Sequence, residues 1–414
     1  TAAVAQNVAA NPATQSAHGH KLYAHEEFGK YIDARDFGVN PANADNTAAL
    51  KAALKAADDE GAALYLGAGT LKLHEQIRIG ADVHDKSGKL IQEGYENVRA
   101  IFGAGAGETH LTFDWQQTEG ERFYPRAKDD RFNPWNNRTN VNPYAAILID
   151  GVNGKSVADL SLEYQHKTAE DFYQKTKSYF GLINGIIVND ADHTKIDTVE
   201  ISGMNRAGVY FTSTLAESSG ARDKLKTHQI SEADAPTGDN NQLIYSNLHH
   251  NRVAGALVAF QKNFTADSNH LAWNGHEADG GTGYGISSMA GSYGFGITYS
   301  RNTTDHNYRK GLDIHDGNHI TIENNTMELA RSGRDTAPIY LEEKGQISTL
   351  RGSVKINHNA LTLREASEGA TEAIAMHGNA KTYDVGHNTF ELHGNVHDRP
   401  VGRINGSSSS AKPH

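Results

Sequence analysis

Apolar positions follow a helical period once and a strand period almost everywhere else. In "DARDFGVNPANADNTAALKAALKAADDEGAALYLGAGTLKL", residues 33 to 73, Leu50, Ala53, Leu54 and Ala57 recur at three- and four-residue spacing. Asp45 or Asn46 is a suitable N-cap and Gly61 ends the run, so the pattern predicts a helix there. "ALYLGAGTLKL" then reads as strand, turn, strand, and "RAIFGAGAGETHLTFD" as a strand pair around a glycine turn.

From about residue 145 the chain repeats loosely. Asparagines close short apolar strands at Asn247, Asn274, Asn302, Asn325, Asn359 and Asn388, with spacings of 27, 28, 23, 34 and 29. A second series of strands follows them: "AGALVAF" from 254, "GYGISS" from 283, "KGLDI" from 310, "APIYL" from 337 and "EAIAM" from 372. Such units, each too small to bury its own inward face, predict an all-β, single-stranded, right-handed parallel β-helix whose coils stack about 4.8 Å apart. Turn asparagines would stack into an amide ladder. The alternative, a sandwich or propeller, needs shorter and more regular spacing. The early helix becomes a short cap over the open end of the solenoid.

Strand parity then assigns faces. In "GLDIH" Leu312 and Ile314 point inward, which turns Asp313 and His315 outward. In "PIYLEEKG" Ile339 and Leu341 point inward, leaving Tyr340 and Glu342 outward with Lys344 just beyond. In "AIAMHG" His377 points outward. Adjacent rungs would place Asp313 beside Tyr340, and His315 beside Glu342 and His377. Outward polar residues are ordinarily just solvated, but titratable groups clustered in this way can shift one another's pKa values, which acid–base catalysis requires. Arg309, Lys310, Asp316, Arg331 and Arg334 lie near these strands, and the cations among them could hold an anionic ligand.

Composition narrows the partners. The 414 residues carry 39 Lys+Arg against 50 Asp+Glu, a formal charge of -11, and no long basic run, which argues against nucleic acid or an anionic membrane surface as partner. No stretch is apolar enough for a membrane span. There is no cysteine, which removes disulfides, thiolate metal sites and cysteine nucleophiles and suits export. Residues 1–26 lack an apolar signal core and read as a flexible segment of a processed chain; residues 27–404 form one catalytic domain, and 405–414 a disordered tail. None of the 22 histidines has zinc-like spacing, and no D-x-D-x-D-G loop is present. No metal site is expected from motifs, although Ca2+ held by Asp, Asn and carbonyl oxygens is compatible with enzymes of this shape. "FGAGAGETH" lacks the lysine and spacing of a nucleotide loop.

Phe37-Gly38, Asp45-Asn46-Thr47, the Ala-rich helix, Leu64-Tyr65-Leu66 and Ala68-Gly69-Thr70 together resemble the start of the pectate-lyase-like β-helix proteins, with Gly67 where the family commonly has Pro. "GLDIHD", residues 311 to 316, resembles the Gly-hydrophobic-Asp-Pro-His-Asp motif of β-helical mannuronan C5-epimerases, with Ile314 in place of Pro. That resemblance implies Asp313 as an orienting or substrate-contacting carboxylate and His315 as the base that removes a C5 proton. The arginine expected one coil later has no clear counterpart. The whole is similar to secreted bacterial lyases of biofilm matrix polysaccharide.

The expected function is therefore a secreted, monomeric lyase that cleaves an acidic polysaccharide by β-elimination, with His315 as base and Tyr340, Tyr308 or Lys344 as acid. Tyr284 and Tyr293, in "GTGYGISSMAGSYGFG", could stack on sugars, and residues 113–138 could roof a groove. A glycoside hydrolase using Asp313, Asp316, Glu342 and Glu343, a C5-epimerase and a non-catalytic carbohydrate-binding spike are the rivals.

Overall fold

The computed structural model describes residues 14–84, 87–114, 145–166, 183–276, 282–288, 291–315, 317–329, 337–342, 353–363, 372–377, 382–393 and 401–404. Within them the chain is an all-β parallel β-helix. One sheet contains ten parallel strands, running from Ile77–Ile79 through Ala145–Asp150, Asn184–Asn189, Ala207–Thr212, Ala254–Val258, Tyr284–Ser288, Lys310–His315, Ala337–Glu342 and Ile374–His377 to Val401–Ile404. A larger array supplies the rest of each coil, and one continuous apolar core fills the space between, with Ile147, Ile186, Val209, Ile286, Leu312, Ile339 and Ile374 among its members.

The expected helix is present as α1 (Thr47–Glu60), closed by Gly61 in the left-handed conformation at φ 57°. It buries Leu50, Ala53, Leu54, Ala56 and Ala57 over the first coils. Asn46 is the N-cap residue, but its amide is used elsewhere: it accepts from Asn40 N at 2.9 Å and donates to Asn40 O at 3.0 Å. Asp45 takes the first helical N–H, from Thr47, at 2.8 Å. Part of the segment expected to be flexible up to residue 26 is strand: Lys21–His25 pairs antiparallel with Gly29–Asp33, which carries the sheet onto the first parallel strand. Residues 1–13 and 405–414 lie outside the described residues.

Asparagine ladders form, in a register different from the expected one. Asn269, Asn302, Asn325, Asn359 and Asn388 make one ladder, each amide Nδ2 donating to the next Oδ1 at 2.9–3.1 Å. Asn251, Asn274 and Asn307 make a second ladder. Asn274 thus belongs to a separate column and Asn247 to neither, because each coil contains two such turns and the strand-end asparagines mix them. The residue before each ladder asparagine is left-handed, including Ser268, Arg301, Asn324, His358 and His387 in one column and His250, Trp273 and His306 in the other. A left-handed residue bends the chain, and the buried amide that follows satisfies backbone groups at the bend.

The outer face of the ten-stranded sheet changes character along the solenoid. In the early coils Leu148, Ile187, Tyr210 and Leu257 point outward and are buried under two short helices, α2 (Thr214–Ser218) and α3 (Ala221–Lys226), through Ala216, Ala221 and Leu225. The same column continues in register as Ser287, Asp313 and Tyr340. The apolar stripe under the helices becomes polar at Ser287, and the candidate site begins there.

Candidate active site

Local sequence sets the rungs. Gly185, Gly208, Gly255, Gly285 and Gly311 stand at the second position of successive strands, and a Cβ on any of the first four would approach the next glycine's carbonyl oxygen within 2.7 Å. This close stacking holds the rungs at a fixed offset. Asp313 lies opposite Tyr340, and His315 opposite Glu342, which in turn lies opposite His377.

Asp313 and His315 face outward, as parity requires, but they are not solvated: they are 1% and 8% exposed. Asp313 gathers three donors. Lys310 Nζ reaches Oδ1 at 3.1 Å, while His315 Nε2 and Ser287 Oγ reach Oδ2, each at 2.9 Å. Burial alone would push the Asp313 carboxyl up; the Lys310 and His315 charges and the hydrogen bonds from His315 and Ser287 outweigh it and hold the group well below the usual carboxylate range. An ionised carboxylate only accepts, so Nε2 of His315 carries the proton in this bond.

The His315 backbone is held as well. Its N–H donates to Ser288 Oγ at 2.6 Å, and that hydroxyl in turn donates to the His315 carbonyl at 3.2 Å. Lys310 is 4% exposed, and its ammonium lies 3.5 Å from the centroid of the Tyr340 ring and 5.5 Å from that of Tyr284. Tyr340 is itself buried and packs with Ala337 and Ala375.

The structure therefore brings together Lys310, Asp313, His315, Tyr340 and Tyr284. Tyr308 and Arg309 precede the strand: Tyr308 is half-buried over Gly275 and Gly283, and Arg309 is buried. Glu342 and His377 hold their expected rung positions in the backbone. Asp316, Arg331, Arg334, Glu343 and Lys344 lie outside the described residues, as does most of the 113–138 segment. Lys310, expected to hold an anionic ligand, is paired with Asp313 at 3.1 Å. Tyr293, expected to stack on sugar, is buried between Phe260 and Phe295 with its hydroxyl donated to the Pro236 carbonyl at 2.7 Å. Ser287 and Ser288 are the residues that sequence reasoning missed. Aligning "YGISS" on "KGLDIH" by their shared glycine places Ser287 against Asp313 and would have found the first of them.

The sequence matches no family model and no curated protein. Solved structures share the fold. The Agl-KA catalytic domain is 16% identical with a TM-score of 0.56, over 87% of this chain and 54% of that one. The catalytic unit of a GH87 α-1,3-glucanase from Streptomyces thermodiastaticus is 14% identical at TM-score 0.55, over 93% and 57%. A pre-mature gene product 12 of bacteriophage phi29 is 11% identical at TM-score 0.58, over 87% and 42%. The chain spans about half the length of these proteins.

Proposed function

We propose that the protein is a polysaccharide lyase that cleaves an acidic, uronic-acid-containing exopolysaccharide by β-elimination. The observation that carries this reading is the buried Asp313–His315 pair, bonded at 2.9 Å on the outer face of the solenoid. Asp313 fixes the imidazole by its Nε2–H, and the reading assigns the C5 proton of the sugar to Nδ1. As that C–H bond breaks, its electron pair moves into the C4–C5 bond, the C4–O4 bond breaks, and a general acid protonates the departing O4. Tyr340, one rung from Asp313, is the acid in this scheme. Asp313, ionised and committed to three donors, is unsuited to act as the proton-donating acid of a hydrolase.

The glucanase named above is described as acting on a polysaccharide, which agrees with a carbohydrate substrate but not with one reaction in particular. Among the described residues no helix is long and apolar enough to cross a membrane, and a matrix polymer would require the protein to be secreted. The test is a panel of uronic-acid polymers followed by ultraviolet absorbance. Elimination leaves a conjugated double bond that absorbs; His315→Ala is expected to abolish that signal with the fold retained. Unchanged turnover in the variant would remove His315 from the role of base.

A further inference from the structure

We infer that Lys310 is a positioning residue of this site: its caged ammonium orients the His315 imidazole through Asp313 and does not bind the sugar carboxylate. The inference rests on the reading of His315 as base. A lysine that grips a substrate anion must keep its charge accessible. Here the ammonium is paired with Asp313 at 3.1 Å inside a residue that is 4% exposed. The Tyr340 face, 3.5 Å from ammonium to centroid, supplies electrostatic solvation in place of water. In register Lys310 lies between Tyr284 on one rung and Ala337 on the next, and the small Ala337 side chain leaves room for the lysine to lean toward Tyr340.

The ammonium is in contact with Asp313 on its own strand, Tyr284 on the preceding rung and Tyr340 on the following one; His315 meets it through Asp313, and Arg309 and Glu372 are the other buried charged residues nearby in sequence and register. Two consequences follow from its charge. A cation beside Asp313 keeps that carboxylate ionised, so the carboxylate can hold the Nε2–H tautomer. The same cation works against a second positive charge on the nearby imidazole, opposing the pull of the Asp313 carboxylate.

The experiment is NMR of histidine-labelled protein, with His315 assigned by its loss in His315→Gln, alongside steady-state kinetics across pH. In Lys310→Met the His315 titration midpoint is expected to rise by about half a unit or more, because a repelling charge is gone. In Asp313→Asn the midpoint is expected to fall, because an attracting charge is gone. On a uronate polymer Lys310→Met should lose about tenfold or more in kcat while KM stays within about threefold, the split expected of a group that acts on the base and not on ground-state binding. A midpoint that does not move in Lys310→Met, or a large rise in KM with kcat intact, overturns the inference. Should that variant fail to fold, Lys310→Gln keeps a donor to Asp313 without the charge; the same upward shift is expected, and its absence is equally decisive. If wild-type protein forms no eliminated product from any polymer, the proposed reaction has failed, and the titration arms still decide the part played by Lys310.

Discussion

At the scale of single residues, the site depends on charges that are buried but compensated. Removing one partner of such a group leaves the others desolvated, so Asp313→Asn, which strands Lys310, is expected to cost about 3 kcal/mol of stability at neutral pH. The pH dependence follows from the sign of the shift. The Asp313 carboxyl lies below its unfolded value, so its stabilisation is fully present above a pH of about 4 and is lost as the pH falls below that. The gap in unfolding temperature between wild type and Asp313→Asn should therefore stay constant from pH 7 to about 4 and begin to narrow as the pH falls to 3; curves parallel through that range would contradict the assignment. Tyr340→Phe keeps a ring face for Lys310 and removes only the hydroxyl. If Tyr340 is the acid, kcat should fall by about a hundredfold with stability little changed, as read by steady-state rates and thermal melts. A small effect would move the role to Tyr308 or Lys344. Period-two alternation in "GLDIH" gave the outward direction of Asp313 and His315. Their burial was not legible, because it depends on neighbouring rungs and not on the strand itself. The same holds for Ser287, which looks like an ordinary strand serine until the rung beside it is known.

At the scale of elements, the glycine column and the asparagine ladders set the spacing between rungs. Gly285→Ala would push a Cβ to 2.5 Å from the Gly311 carbonyl, and neither rung can move without displacing its own neighbours. The rung carrying Ser287 would shift against the one carrying Asp313, so a larger loss of activity than of stability is expected, measured as kcat against unfolding temperature. Asn325 binds both ways along its ladder: its Nδ2 donates to the Tyr299 carbonyl and to Asn359, and its Oδ1 accepts from Asn302. Asn325→Ala leaves those buried groups unpaired and is expected to destabilise the protein by about 2–4 kcal/mol in a denaturant titration. The ladders were legible as an asparagine repeat, while their membership was not, since two turns per coil with unequal loops defeat a single period. Helices α2 and α3 went unread because each spans less than two turns. The clue to them lay in the strands: "AAILID", "NGIIVN" and "AGVYFT" are apolar on both parities, and a sheet apolar on both faces must be covered on both.

At the scale of the whole molecule, an outer face that is apolar and covered in the early coils and turns polar at Ser287 explains why the candidate site lies in the later coils. The expectation of a monomer is checked by size-exclusion chromatography with light scattering, which should give the mass of one chain. The fold was readable because coil periodicity, the capping helix and the turn asparagines all point to one architecture. No single reaction was readable in the same way, because a β-helix hosts hydrolysis, elimination and binding alike.

The central claim is that imidazole-driven elimination at a buried Asp–His pair cuts an acidic sugar chain. The measurement that meets it most directly is mass spectrometry of oligosaccharides released from a uronic-acid exopolysaccharide by wild-type protein and by His315→Ala. We predict fragments from the wild type that are one water lighter than hydrolysis products, with an unsaturated uronate at the non-reducing end, and no fragments from the variant. Fragments carrying the full water, or inverted sugar residues in a polymer of unchanged length, would contradict it.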